Sequence, residues 1–210
     1  MRLLILGSTG LVGGHTLTAA LAEPAVTAVI APTRTPLSPH AKLLNPVVDR
    51  LDALLQDVPS WSLSAAVCAL GTTKAKAGTL EKFRLIDYVF PLAYARACHT
   101  SGVEAFAVVS SIGSSASSLF TYSKVKGEME RDMKAINFRS LTILRPGMIG
   151  GDRGESRLAE SLALGLAGLL KPVLPKKFHV NPALRIATVL LDSVLHPTPG
   201  CHTVYSQDMT

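Results

Sequence analysis

Cysteine is scarce: Cys68, Cys98 and Cys201 are the only three in 210 residues, and their spacings are wide. They form neither a disulfide framework nor a zinc-ligand pattern, so a stapled or metal-nucleated scaffold is excluded. Aromatic residues make up only 5% and are not interleaved with basic ones, so a base-stacking platform for nucleic acid is lacking. Long apolar runs are absent too. The longest, Leu162 to Leu170, is interrupted by two glycines and stopped by Lys171 and Pro172, well short of a bilayer span. The opening Met1-Arg2-Leu3-Leu4-Ile5-Leu6 ends at Gly7, too short for the apolar region of a signal peptide. These absences lead to the expectation of a soluble, cytoplasmic protein in a reducing compartment, with no membrane partner.

What is there is a large reserve of core residues. The chain is 48% hydrophobic and 17% charged, with a mean hydropathy of +0.32, which excludes disorder. Lys plus Arg outnumber Asp plus Glu by 21 to 15, for a net charge of +6. The basic residues are scattered, with no long run, so a small anionic ligand is favoured over nucleic acid.

Short apolar runs alternate with helical patterns. Arg2–Leu6, Thr27–Ala31, Pro46–Asp49, Ala65–Leu70, Glu104–Val109 and Leu141–Leu144 read as strands, and Thr203–Tyr205 as a last one. Helices are expected at Leu11–Leu21, Leu51–Asp57, Leu80–His99 (kinked or started by Pro91), Leu119–Ile136, Arg157–Leu170 and Ala183–Leu195. Asn181-Pro182 reads as the cap and first turn of the last helix. Strand and helix in this rhythm call for a parallel sheet covered on both faces, an α/β doubly wound, three-layer fold. Residues 1–150 suffice for that core. Residues 151–210 are too few for a second domain, so one domain with a small substrate-side region is expected.

Three groups carry chemistry. Gly7-Ser8-Thr9-Gly10-Leu11-Val12-Gly13 follows the first strand and opens the first helix. Gly7 permits a tight turn, Gly10 a close approach of backbone to a pyrophosphate, and Gly13 close packing of helix on sheet. The second strand ends Ile30-Ala31-Pro32-Thr33-Arg34-Thr35, with no acid for a ribose hydroxyl and one arginine suited to a 2′-phosphate. NADP is therefore expected over NAD. Tyr122 and Lys126 share a helix face, where an ammonium stabilises phenolate and makes the tyrosine a usable acid–base group. Ser110-Ser111 closes the preceding strand at the sheet's carboxyl edge, where a serine can hold a substrate oxygen. Adjacent strand residues face opposite ways. Periodicity does not choose between the two, and nearness to the strand's end slightly favours Ser111.

At these residues the chain resembles the atypical short-chain dehydrogenases/reductases. More narrowly, Leu70-Gly71-Thr72-Thr73-Lys74-Ala75-Lys76-Ala77-Gly78, Ser110-Ser111, Tyr122-Ser-Lys-Val-Lys-Gly-Glu128 and Arg145-Pro146-Gly147 are similar to the Tat-interacting oxidoreductase-like group, as is Asp152–Arg157. The resemblance implies a Rossmann-like fold binding NADP(H), with Tyr122 as proton donor and Lys126 on the nicotinamide ribose. It also implies that Leu70, Gly71 and Thr72 line the cofactor with Pro146 and Gly147, that Ile149 lies beside the nicotinamide, that Arg157 reaches a phosphate, and that Asp49, closing the third strand, lies by the adenine. Where relatives carry two basic residues after the second strand, this chain has Arg34 alone.

The leading expectation is thus an NADP-dependent oxidoreductase acting on a small carbonyl or alcohol. Its rivals are a cofactor-binding sensor without chemistry and an epimerase- or dehydratase-like use of a recycled cofactor. The six histidines show no metal spacing, and no metal is expected.

Overall fold

The computed structural model describes residues 1–151 and 180–210. The expected helix at Arg157–Leu170, the stretch Asp152–Arg157 and the phosphate contact of Arg157 lie outside the described residues.

Seven parallel strands form one sheet in the order β3-β2-β1-β4-β5-β6-β9. They are β1 (Arg2–Leu6), β2 (Ala28–Ile30), β3 (Leu43–Leu44), β4 (Ala65–Cys68), β5 (Ala105–Val109), β6 (Ser140–Arg145) and β9 (Gly200–Tyr205). A separate two-stranded pair joins β7 (Ile149–Gly150) to β8 (Asn181–Pro182). Each central strand buries both faces, which is why it reads as an unbroken apolar run. Leu3 and Ile5 face one core with Val67, Ala107 and Val109. Leu4 and Leu6 face the other with Cys68, Phe106 and Val108. The first core is closed by α1 (Leu11–Ala22) and α6 (Ala183–Leu195). The second is closed by a 3-10 helix (Leu51–Trp61), α4 (Phe90–Thr100) and α5 (Thr121–Lys134). This is the three-layer, Rossmann-like α/β fold expected from the rhythm of the sequence.

Four local expectations need correction. The third strand is Leu43–Leu44, not Pro46–Asp49. Pro46 has no N–H to give to a ladder, and Val47 makes only an isolated bridge to Thr33. Asn45 fills the break, its amide nitrogen donating to the Ala31 carbonyl at 2.6 Å and to Thr33 Oγ1 at 2.8 Å. The segment Leu51–Trp61 is a 3-10 helix with Pro59 inside it rather than an α-helix ending at Asp57.

The expected long helix at Leu80–His99 is three pieces: α3 (Leu80–Arg84), a π-helical turn (Leu85–Val89) and α4 with Pro91 in its first turn. A proline ring clashes with the carbonyl four residues earlier, here that of Asp87, and the wide π turn accommodates it. Finally, Asn181 is not a cap. Its buried side chain accepts from the Gly147 N–H at 2.7 Å and from Ser206 Oγ at 2.8 Å, and donates to the Ser206 carbonyl at 2.7 Å. Pro182 takes the cap position of α6.

Candidate active site

The sheet reverses its winding between β1 and β4, so the loops after these strands diverge and leave a crevice at their carboxyl ends. The wall after β1 is glycine-built. Gly7 has φ +87°, and a Cβ there would stand 2.7 Å from the Ala69 carbonyl group at the head of the β4 loop. A Cβ at Gly13 would stand 2.0 Å from the Gly7 oxygen, so α1 packs at a distance that only glycine allows. Ser8 is buried and donates to the Ile5 carbonyl at 3.0 Å, while Thr9 and Gly10 are exposed and Leu11 half-buried. Val12 packs into the core. Gly10 caps α1 without a side chain, and the first turn carries no acid. Its amide groups therefore present an anion site of the kind that takes a pyrophosphate. The cradle fits a dinucleotide.

Beyond β2, Thr33 is buried and bound to Thr35 and Asn45, which fixes the turn that carries Arg34. Arg34 is exposed on that rim. Asp49 is exposed as well and does not close a strand, because β3 ends five residues earlier. Opposite them, Leu70 and Thr72 are half-buried and Gly71 is exposed. From β6 and its loop, Pro146 is buried and Gly147 and Ile149 are half-buried, with Ile149 in β7.

α5 brings Tyr122 and Lys126 to this edge. The Tyr122 ring packs against Phe83 with centroids 5.5 Å apart. Lys126 is only 3% exposed, and Nζ donates to the Val109 carbonyl at 3.2 Å. Its partner is a residue that sequence reasoning missed. Asp87, on the π turn and fully buried, lies with Oδ1 3.0 Å from Lys126 Nζ. The other oxygen, Oδ2, accepts the Thr72 N–H at 2.9 Å. Burial works against the charge on Lys126, but Asp87 and then Tyr122 more than offset it, and the ammonium is held above the ordinary lysine value. One signal was present: an acid inside Leu85-Ile86-Asp87-Tyr88-Val89-Phe90, with Pro91 four residues on.

The two serines separate cleanly. Ser110 is 4% exposed and donates to Glu130 Oε1 across a very short contact, with Ser114 Oγ 3.1 Å away. Glu130 is in turn clamped by Arg145, whose Nε and Nη2 reach its carboxylate at 2.5 to 3.2 Å. Ser111 is half-buried, and its hydroxyl makes only a long 3.3 Å contact to the adjacent Ile112 carbonyl. Burial pushes the Cys68 thiol, near this edge, up to about 12, so it is inert. Among the described residues no His, Cys, Asp and Glu converge as a metal site.

A sequence model of the HIM1 family matches residues 47–178. The chain belongs to the HIM1 family. Among curated relatives, the fmp52 protein of Emericella nidulans is 39% identical over 176 residues, covering 80% of this chain and 76% of that one. The FMP52 protein of Candida albicans is 38% identical over 188 residues, 82% of each. Both relatives are named mitochondrial proteins. That overturns the expectation of a cytoplasmic location, which rested on the lack of recognised targeting and membrane signals. Among solved structures, the Bordetella bronchiseptica enzyme WbmH in complex with NAD+ superposes with a TM-score of 0.73 over 98% of this chain and 75% of that one, at 13% identity. At that identity the likeness is one of fold, and it places the HIM1 chain among Rossmann-type folds. Among the described residues no helix is long and apolar enough to cross a membrane.

Proposed function

We propose that this HIM1-family chain is a nicotinamide-nucleotide-dependent oxidoreductase, built as one domain, that acts on a small carbonyl or alcohol and takes NADP(H) in preference to NAD(H). The observation that carries the reading is a buried Lys126 at the end of β5, held by Asp87 and the Val109 carbonyl and close enough to Tyr122 to feel its charge, beside the Gly7–Gly13 cradle. The NAD+ held by the WbmH structure supports it. A bound nicotinamide supplies the hydride donor or acceptor.

The residues of the chain do the rest. The first turn of α1, with Ser8, Thr9, Gly10, Leu11 and Val12, holds the pyrophosphate, and Gly7 and Gly13 shape the turn. Arg34, exposed on the turn after β2, pairs with a 2′-phosphate. Asp49 borders the adenine, and Leu70, Gly71, Thr72, Pro146, Gly147 and Ile149 wall the crevice. Lys126 holds the ribose and offers positive charge to the phenol of Tyr122, which gives or takes the proton at the substrate oxygen. Ser111 donates to that oxygen as charge develops on it. Ser110 is left to structure, because Glu130 already occupies its proton.

The test is NADPH oxidation across a panel of small carbonyl compounds. Turnover by the native protein and its collapse in Tyr122→Phe are expected. Full turnover by Tyr122→Phe on an identified substrate overturns the mechanism, and tight NADPH binding with no oxidation across the panel points to a sensor.

A further inference from the structure

The lysine of this site is in an unusual position for a group whose work depends on its charge. It is 3% exposed, and burial without compensation strips a lysine of its proton. The groups that face its ammonium from the surrounding elements are few. Asp87 comes from the π turn, Cys68 from β4, the Val109 carbonyl from β5 and Tyr122 from α5 itself. The thiol is held neutral by burial and a carbonyl carries only a dipole, which leaves Asp87 as the standing negative charge among the described residues. The Asp87–Lys126 contact is an ion pair through Oδ1 at 3.0 Å in which the attraction of the charges outweighs the hydrogen bond, while Oδ2 is tied to the Thr72 N–H. Its contribution is therefore chiefly Coulombic.

We propose that Asp87 is a positioning residue that keeps Lys126 protonated inside the fold and ties that charge to the wall of the crevice. The tie runs through Thr72, on the loop after β4. The same carboxylate thus holds the ammonium and the backbone of the loop that borders the crevice, and Gly71 lies directly over both. A Cβ there would stand 3.5 Å from Asp87 Oδ1 and 4.0 Å from Lys126 Nζ. The consequence for Tyr122 rests on the function proposed above. The charge-holding itself does not, and it is measured without cofactor or substrate.

The experiment is thermal unfolding of the full chain, native and Asp87→Asn, from about pH 7 to about pH 10. Asn keeps the volume of the side chain and an oxygen for the Thr72 N–H, and removes only the charge. In the native protein Lys126 binds its proton more tightly folded than unfolded, so its contribution is constant over this range and is lost only as pH rises through the folded value. In Asp87→Asn the order reverses. The buried lysine sheds its proton while the unfolded one keeps it up to about pH 10.4, so the stability of the variant climbs with pH.

The expected result is a Tm deficit at about pH 7 that at least halves by about pH 10. A deficit of the same size at both ends, or none, overturns the proposal, because a merely structural contact does not change with pH. Lys126→Met supplies the control. With the lysine gone, adding Asp87→Asn removes an unpaired buried carboxylate and is expected to raise Tm. The same cost in both backgrounds overturns the proposal. If Asp87→Asn alone does not fold, the double variant is expected to recover the fold, and failure to recover it is again a refutation. Absence of NADPH binding by the native protein would sink the proposed function and leave these curves as they are.

Discussion

Two ion pairs are buried along α5, one turn apart, and they are built differently. Glu130 and Arg145 are saturated: the guanidinium reaches the carboxylate through two nitrogens, Ser110 adds a third donor, and Ser114 continues the network. Lys126 and Asp87 are held by a single 3.0 Å contact. The Glu130 carboxylate is fully taken by its donors, whereas an ammonium with one carboxylate contact and one carbonyl keeps donor capacity. The first pair fastens α5 to β5 and β6. The second ties α5 to the π turn and, through Thr72, to the loop after β4.

The difference is sharpest in variants that remove one group at a time. Tyr122→Phe is expected to lower turnover about a thousandfold, about 4 kcal/mol of barrier, with little change in Tm. Glu130→Ala is expected to act the other way round. It leaves Arg145 uncompensated and costs about 3 kcal/mol of stability in chemical denaturation, with cofactor binding retained in the folded fraction. Ser111→Ala is expected to lower turnover about a hundredfold at unchanged stability. Ser110→Ala, next to it, is expected to cost about 1 kcal/mol of stability through the lost Glu130 bond and to spare most of the turnover. If the two serine variants exchange these signatures, the division between the pairs is wrong. At the cofactor, Arg34→Ala is expected to weaken NADPH binding about tenfold and to leave NADH binding alone.

The sequence is most legible where local chemistry and tertiary position agree. The strands β1, β4 and β5 are apolar runs whose residues are buried on both faces, and the glycines after β1 stand where backbone crowds backbone. Ser110 and Ser111 follow the end of β5 as the run of apolar residues indicated, and the placement of Tyr122 and Lys126 on one helix face was legible from their spacing. Asp87 was not, because its importance comes from a π turn that aims it at a residue 39 positions away, and no period in the sequence encodes that meeting. Asn181 misled for a related reason. Asn before Pro has the local chemistry of a cap, but Gly147 and Ser206 claim its side chain first. The network around Glu130 was equally hidden, since Ser110, Glu130 and Arg145 lie on three separate elements. Location was illegible in another sense, because the expectation rested on signals not recognised in the sequence, and the named relatives point the other way.

The most direct measurement is a titration of the native protein with NADPH and NADH side by side, followed by nucleotide fluorescence. The account predicts saturable binding of NADPH and weaker binding of NADH. Equal affinity for the two would remove the role given to Arg34, and binding of neither would contradict the account at its centre.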